Sequence, residues 1–302
     1  MDKRIIITQV TTLFLIMVVG FGARKTKIIN TEVNKGLTGL LINITAPFMA
    51  LSSFQFAFSR QMLAEVGTVL LFAVGAHLLA IFLGELLYGR MPGATGKVLR
   101  FITIFSNCGF MGYPVAGAFF GERGIFLASI YNAVFNLLVW TYGVYIFTGK
   151  TSRDAFRRAL VNPGVIAVLL GMVLFLFSLK LPEPVGQTLQ MVGAMTTPLS
   201  MLIVGAMLTE VRPAALFSGA AVYWGSMVRL VGMPLLALLG LKLLGVKGVA
   251  LGVCMLMVAM PAAALAAPLA DQYDGDVVFA SRVVFISTIL SMVTIPLLTF
   301  LL

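Results

Sequence analysis

Charge is what this chain has least of. Only 11% of its 302 residues are Asp, Glu, Lys or Arg, against roughly a quarter in a soluble domain, while 60% are hydrophobic. A soluble protein of this length has nowhere to hide so much apolar surface, so lipid must be the solvent for most of it. Histidine and cysteine are almost missing: His77 stands alone, and Cys108 and Cys254 both lie in apolar runs. A disulfide framework, a zinc site or any other metal cofactor is left without support. No serine–histidine pair, no paired membrane aspartates and no ATP-binding motif is present, which argues against an intramembrane enzyme and against primary pumping. Nor is any segment long and polar enough for a separate soluble domain.

What is abundant is membrane-length apolar sequence. Ten runs recur, at 5–22, 36–57, 64–88, 99–120, 124–148, 163–180, 185–209, 213–241, 248–270 and 276–301. Each is long enough to cross about 30 Å of hydrocarbon as a helix. The first resembles a secretory signal but continues to Gly22 and into Arg24, Lys25 and Lys27 without a clean cleavage site, so it reads as a retained span. The net charge of +10 would suggest nucleic acid in a soluble protein; here it sorts by loop instead. Loops after odd-numbered runs hold Arg24, Lys25, Lys27, Lys35, Arg90, Lys97, Arg100, Lys150, Arg153, Arg157, Arg158 and Arg212. The tail and even-numbered loops hold fewer: Lys3, Arg4, Arg60, Arg123, Lys180, Lys242 and Lys247. The positive-inside rule then places the odd loops in the cytoplasm and both termini outside a cell (inner) membrane.

Two proline–glycine pairs organise the chain. Pro114 precedes Gly121 and Pro268 precedes Gly275, each by seven residues, and the prolines lie 154 residues apart. Proline inside a helix removes a backbone donor and frees the carbonyl four residues earlier, here on Phe110 and Ala264. Broken spans persist only where they line a protein cavity, and matching breaks in two half-chains point to a transporter's substrate site. The halves match elsewhere at nearly the same offset. Thr45-Ala46-Pro47 corresponds to Thr196-Thr197-Pro198, and Phe126 with Ala128-Ser129 to Phe279-Ala280-Ser281. The expected fold is therefore an all-α polytopic membrane protein of ten transmembrane helices in two inverted five-helix repeats, 1–148 and 163–302, with broken helices 4 and 9. Between them, 149–162 reads as a cytoplasmic basic linker. Its alternative is a short interfacial helix capped at Ser152, with Phe156, Ala159 and Leu160 toward lipid.

The stretches FSNCGFMGYPVAGAFFGERGIFLAS (105–129), TAPFMAL (45–51) and APLADQYDGDVVFAS resemble the auxin efflux carrier family, which includes plant PIN proteins and bacterial permease-like members. The likeness covers essentially the whole chain. It implies helices 4 and 9 crossing at Pro114 and Pro268 beside a central organic-anion site, a scaffold of helices 1, 2, 6 and 7, and a homodimer. The long cytoplasmic loop of the plant exporters is absent, which favours a compact bacterial-type carrier of a small carboxylate working by alternating access. The alternative is a channel or ligand sensor on the same scaffold, against which the lack of a charged ring or an appended signalling domain argues mildly.

Several residues are candidates for binding that anion. Asn107 offers a side-chain amide near the first break, or else satisfies carbonyls freed there; Gly109 and Gly112 let a ligand approach the backbone; Pro114 shapes the crossover. Ala267 and Pro268 are their counterparts in the second half, where small residues permit close crossing. Arg229 falls mid-span, where a guanidinium costs about 2.5–3.5 kcal/mol. It either binds the substrate carboxylate or has a structural partner such as Glu85 or a freed carbonyl. His77 lies 152 residues before Arg229, inside the repeat offset, and is a proton-coupling candidate or, more commonly for a lone membrane histidine, a packing residue. Asn43, whose carbonyl Pro47 frees, supports the kink in helix 2. Asn132 and Asn136 share a face of helix 5 and form an inter-helix seam or part of a site.

Overall fold

A computed structural model describes residues 3–150, 153–210 and 219–299. Ser152 and Arg212 fall outside the described residues, so neither the proposed cap nor that loop charge has a structural account. The first half runs α1 (Lys3–Lys25), α2 (Thr31–Leu40), α3 (Ala46–Ser52), α4 (Arg60–Tyr88), α5 (Gly93–Ile104), α6 (Tyr113–Leu138) and α7 (Val144–Thr148). After α8 (Arg153–Leu160) come α9 (Pro163–Leu176), α10 (Glu183–Ala194) and α11 (Thr196–Met207). The chain ends with α12 (Ala220–Met227), α13 (Met233–Leu243), α14 (Gly248–Ala259), α15 (Ala266–Gln272) and α16 (Val277–Thr299). Among the described residues there is no β-strand, only a single antiparallel bridge between Ser106 and Ala262.

Among the described residues the protein is all-helical, and six helical segments are long and apolar enough to cross a membrane. Others fall short because they are interrupted or brief: α9 and α14 are apolar but have 14 and 12 residues. Three of the interruptions precede a proline; a fourth π-turn, Val139–Gly143, does not. π-helical turns occupy Leu41–Thr45, Cys108–Gly112 and Val228–Gly232, each ending two residues before Pro47, Pro114 or Pro234. A proline ring clashes with the carbonyl four residues back, and a wider turn relieves that clash without ending the helix. In each case the proline is the second residue of the α-helical stretch that follows the wider turn.

The chain reverses after Pro114 at Gly121, whose φ of 57° and ψ of −148° lie in a region essentially closed to residues with a Cβ. In the second half the left-handed residue is Asp274 (φ 52°) rather than Gly275, so the two reversals are built differently.

Helices α1, α2, α3, α9, α10 and α11 pack on one another. The α1–α11 crossing is close because glycine permits it: a Cβ on Gly20 would lie 2.7 Å from the Leu202 Cα, and one on Gly205 would lie 2.8 Å from the Met17 carbonyl carbon. A second group contains α4, α5, α6, α12, α13, α14 and α16, with α6 contacting both groups. Its core is aromatic, with Phe147, Phe101, Phe105 and Phe135 linked in that order by ring contacts. The basic stretch forms helix α8; Phe156 and Leu160 are exposed as expected, whereas Ala159 is buried because α8 packs on α6 and α9.

Candidate site at the helix crossing

Both proline-marked segments are broken, and the breaks meet. They lie upstream of the prolines, at Phe105–Asn107 between α5 and the π-turn that leads into α6, and at Met260–Leu265 between α14 and α15. The expected crossing at Pro114 and Pro268 is thus displaced by seven residues, to Asn107 and Pro261. Asn107 N–H donates to the Pro261 carbonyl at 2.8 Å and Ala263 N–H to the Phe105 carbonyl at 3.1 Å, flanking the Ser106–Ala262 bridge. Asn107 and Pro261 are themselves 154 residues apart, the offset of the two proline signatures. A symmetric contact would return a bond from residue 261 to the Asn107 carbonyl, but proline has no N–H. That carbonyl accepts instead from Met111 N–H at 3.0 Å and Gly112 N–H at 3.2 Å. Side chains lock the crossing further: Ser106 Oγ donates to the Met257 carbonyl at 2.8 Å, and Ala262 N–H donates to Ser287 Oγ at 3.1 Å.

Beside the crossing lies a cavity of about 70 Å³ whose lining includes Asn107, Gly109, Tyr113, Asn132, Asn136, Asn162 and Ala263. Its polar groups are amides, a phenol and the Trp140 indole, and among the described residues no carboxylate lines it. Asn107 is 2% exposed and sits at the N-cap of the helix beginning at Cys108, yet its side chain makes no capping bond. Its Nδ2 has no partner. Asn132 donates from Nδ2 to the Cys108 carbonyl at 3.1 Å, leaving its Oδ1 without a partner, and Asn136 donates to the Asn132 carbonyl at 2.9 Å. Buried amides left open in this way are uncommon and mark places where something else can bind. The N-terminus of the helix adds unsatisfied N–H groups and about half a positive charge. Asn162 was not anticipated as a lining residue. Its signal was the Asn162-Pro163 pair, an N-cap followed by proline at N1, and its Oδ1 accepts from Gly164 N–H at 2.9 Å.

The remaining candidates are dispersed. Gly112 is a packing position, since a Cβ there would come within 2.8 Å of Met257 Sδ. Pro114 is buried at the start of α6, outside the cavity lining. Ala267 borders a separate void of about 20 Å³ with Ser281 and Phe285, and Pro268 is exposed. Asn43 is exposed too, donating to the Gly39 carbonyl at 2.8 Å within its π-turn.

Arg229 lies beneath the crossing rather than in the amide-lined cavity. It is 2% exposed, and its guanidinium donates from Nη1 to the Thr103 carbonyl at 2.9 Å and from Nη2 to the Val258 carbonyl. Those carbonyls belong to the last turns of α5 and α14, the first halves of the two broken segments. Each helix C-terminus carries unsatisfied carbonyls and about half a negative charge, so one cation bridges two negative helix ends. Glu85 is not its partner; that carboxylate accepts from Arg100 at 3.0 Å and from the Tyr142 hydroxyl at 3.0 Å. Arg229 belongs to the π-turn before Pro234 and is buried there. His77 and Arg229 line a second, larger cavity between α4 and α13. His77 Nδ1 is 2.7 Å from the Ala73 carbonyl.

Comparison with known proteins places the chain among transporters. A family model described as membrane transport protein matches twice, over residues 5–155 and 150–299. An uncharacterized transporter of Methanothermobacter thermautotrophicus is 29% identical over 303 residues, covering 95% of each chain. An uncharacterized transporter of Methanocaldococcus jannaschii is 26% identical over 301 residues, covering 95% of this chain and 96% of the other.

Proposed function

We propose, from the premise that this chain belongs to the membrane transport protein family of the auxin efflux carrier type, that it is a secondary carrier of a small organic anion working by alternating access. The observation that carries this reading is the helix crossing, with the unpartnered Asn107 amide at the N-terminus of a half-helix. A carboxylate there would accept hydrogen bonds from Asn107 Nδ2 and from first-turn N–H groups, with no acidic side chain among the described lining residues to repel it. No permanent ion pair would hold it too tightly for release.

The architecture in this reading is ten spans in two inverted five-helix repeats. The twofold match of the family model and the 154-residue spacing of Asn107 and Pro261 both support it. The group containing α1 and α11 would form the scaffold, and the group containing the crossing would rock against it. The cavity of about 70 Å³ is smaller than the roughly 300–1,000 Å³ of an open ligand pocket, as expected for a conformation closed around its site. Its lining runs from Asn107 to Asn162, next to the basic helix α8. By the positive-inside rule this is the cytoplasmic side, which places both termini outside.

The test is a stability screen on purified protein with mono- and dicarboxylates, with and without sodium, repeated on Asn107→Ala. A carboxylate that raises the melting temperature of the native chain but not of the variant is the expected result. Equal stabilisation of both would remove Asn107 from the site.

A further inference from the structure

The cavity between α4 and α13 is unlike the one at the crossing. It encloses about 400 Å³, within the range of roughly 300–1,000 Å³ for small-molecule sites, and nearly all of its lining is aliphatic or aromatic. Leu71 and Leu244, both lining residues, are 75% and 72% exposed, and they belong to faces that a bilayer would cover. A solute reaching this mouth therefore comes through hydrocarbon, which admits lipophilic molecules and turns away small polar ones.

Polar groups line the cavity as well. His77 and Arg229 are each 2% exposed, and each has one nitrogen without a protein partner: Nε2 of His77 and Nε of Arg229. Their other nitrogens are committed. His77 Nδ1 faces the Ala73 carbonyl at 2.7 Å; a carbonyl only accepts, so Nδ1 carries the proton, and in the neutral ring Nε2 offers a lone pair. The Arg229 Nη atoms hold the two helix ends, leaving Nε–H as a donor. An acceptor and a cationic donor thus remain without a protein partner, buried on two residues that line an apolar cavity, where no water is at hand to satisfy them. A carboxyl group meets both needs, its O–H donating to Nε2 and its carbonyl oxygen accepting from Nε–H.

We propose that the α4–α13 cavity is a second binding site, for a lipophilic monocarboxylic acid drawn from the bilayer, with its carboxyl group between His77 and Arg229 and its apolar chain toward lipid. This site is separate from the crossing and does not depend on the transport reading. Glycine keeps the cavity open: an added Cβ at Gly75 or Gly240 would meet no atom within 4 Å, and both residues line it. Leucine at both positions would fill the space without a core clash.

The experiment uses the full chain in lipid nanodiscs with a photoactivatable long-chain fatty acid, the labelled peptides being mapped by mass spectrometry. Saturable labelling of α4 and α13 is expected. Oleate should compete, oleyl alcohol should compete about tenfold or more weakly, the factor that one charge-assisted hydrogen bond contributes, and butyrate should not compete. The Gly75→Leu/Gly240→Leu variant should lose the labelling while keeping its melting temperature, and His77→Phe should weaken it. Labelling that is unchanged in the double-leucine variant would overturn the proposal. So would equal competition by the alcohol, which denies recognition of the carboxyl group, or effective competition by butyrate, which denies the apolar site.

Discussion

Replacing Arg229 separates its two readings, because the variants rank in opposite orders. If Arg229 holds the two broken helices together, Arg229→Met removes charge-assisted bonds to the Thr103 and Val258 carbonyls. At about 1.5–3 kcal/mol each, that is a loss of about 3–6 kcal/mol. The change also removes a buried cation whose placement costs about 2.5–3.5 kcal/mol. The net destabilisation is therefore about 1.5 kcal/mol, or a melting temperature lower by about 2–3 °C in a chain of this size. Arg229→Lys should be worse. Lysine keeps the burial cost, but its point-like ammonium cannot span two carbonyls as the planar fork does. If the cation instead binds the substrate, lysine should preserve transport better than methionine, and neither should melt much below the native chain. The assay is thermal unfolding in detergent by tryptophan fluorescence, with uptake measured on the same preparations. A methionine variant as stable as the native chain but dead in transport would refute the structural assignment.

Other perturbations probe the fold. Gly121→Ala forces a Cβ into a backbone region open almost only to glycine and should cost about 1–3 kcal/mol, read as a lower melting temperature; an unchanged value would mean that the reversal is not built as described. Ser106→Cys with Ala262→Cys, in a chain whose native cysteines are replaced, should form an intramolecular disulfide under mild oxidation, since directly opposed residues of an antiparallel bridge lie within disulfide reach. Failure to cross-link would place the two breaks apart. A cysteine at Lys150 should react with an impermeant thiol reagent only from the cytoplasmic side, and labelling from outside would invert the proposed orientation.

The membrane class was legible because composition decides it, and so was the approximate place of the broken segments, because a proline within an apolar run must disturb the helix. The location of each break was not. A wider turn accommodates Pro114 and the first turn of α15 accommodates Pro268, and the chain unwinds ahead of both, at Asn107 and Pro261, where the partner segment supplies hydrogen bonds. Asn107 could be picked out as the polar residue next to a break. The partners of Arg229 could not, since they are backbone carbonyls 126 and 29 residues away and a carbonyl leaves no mark in a sequence. The shared cavity of His77 and Arg229 was hinted at only by their equivalent places in the two halves.

Counterflow in proteoliposomes tests the transport claim most directly. Vesicles loaded with an unlabelled small carboxylate and diluted into the labelled compound should show transient, saturable uptake by the native chain. Asn107→Ala, at equal reconstitution and melting temperature, should abolish it. Absence of counterflow for every mono- and dicarboxylate tried, or full activity in the alanine variant, would contradict a substrate site at the helix crossing.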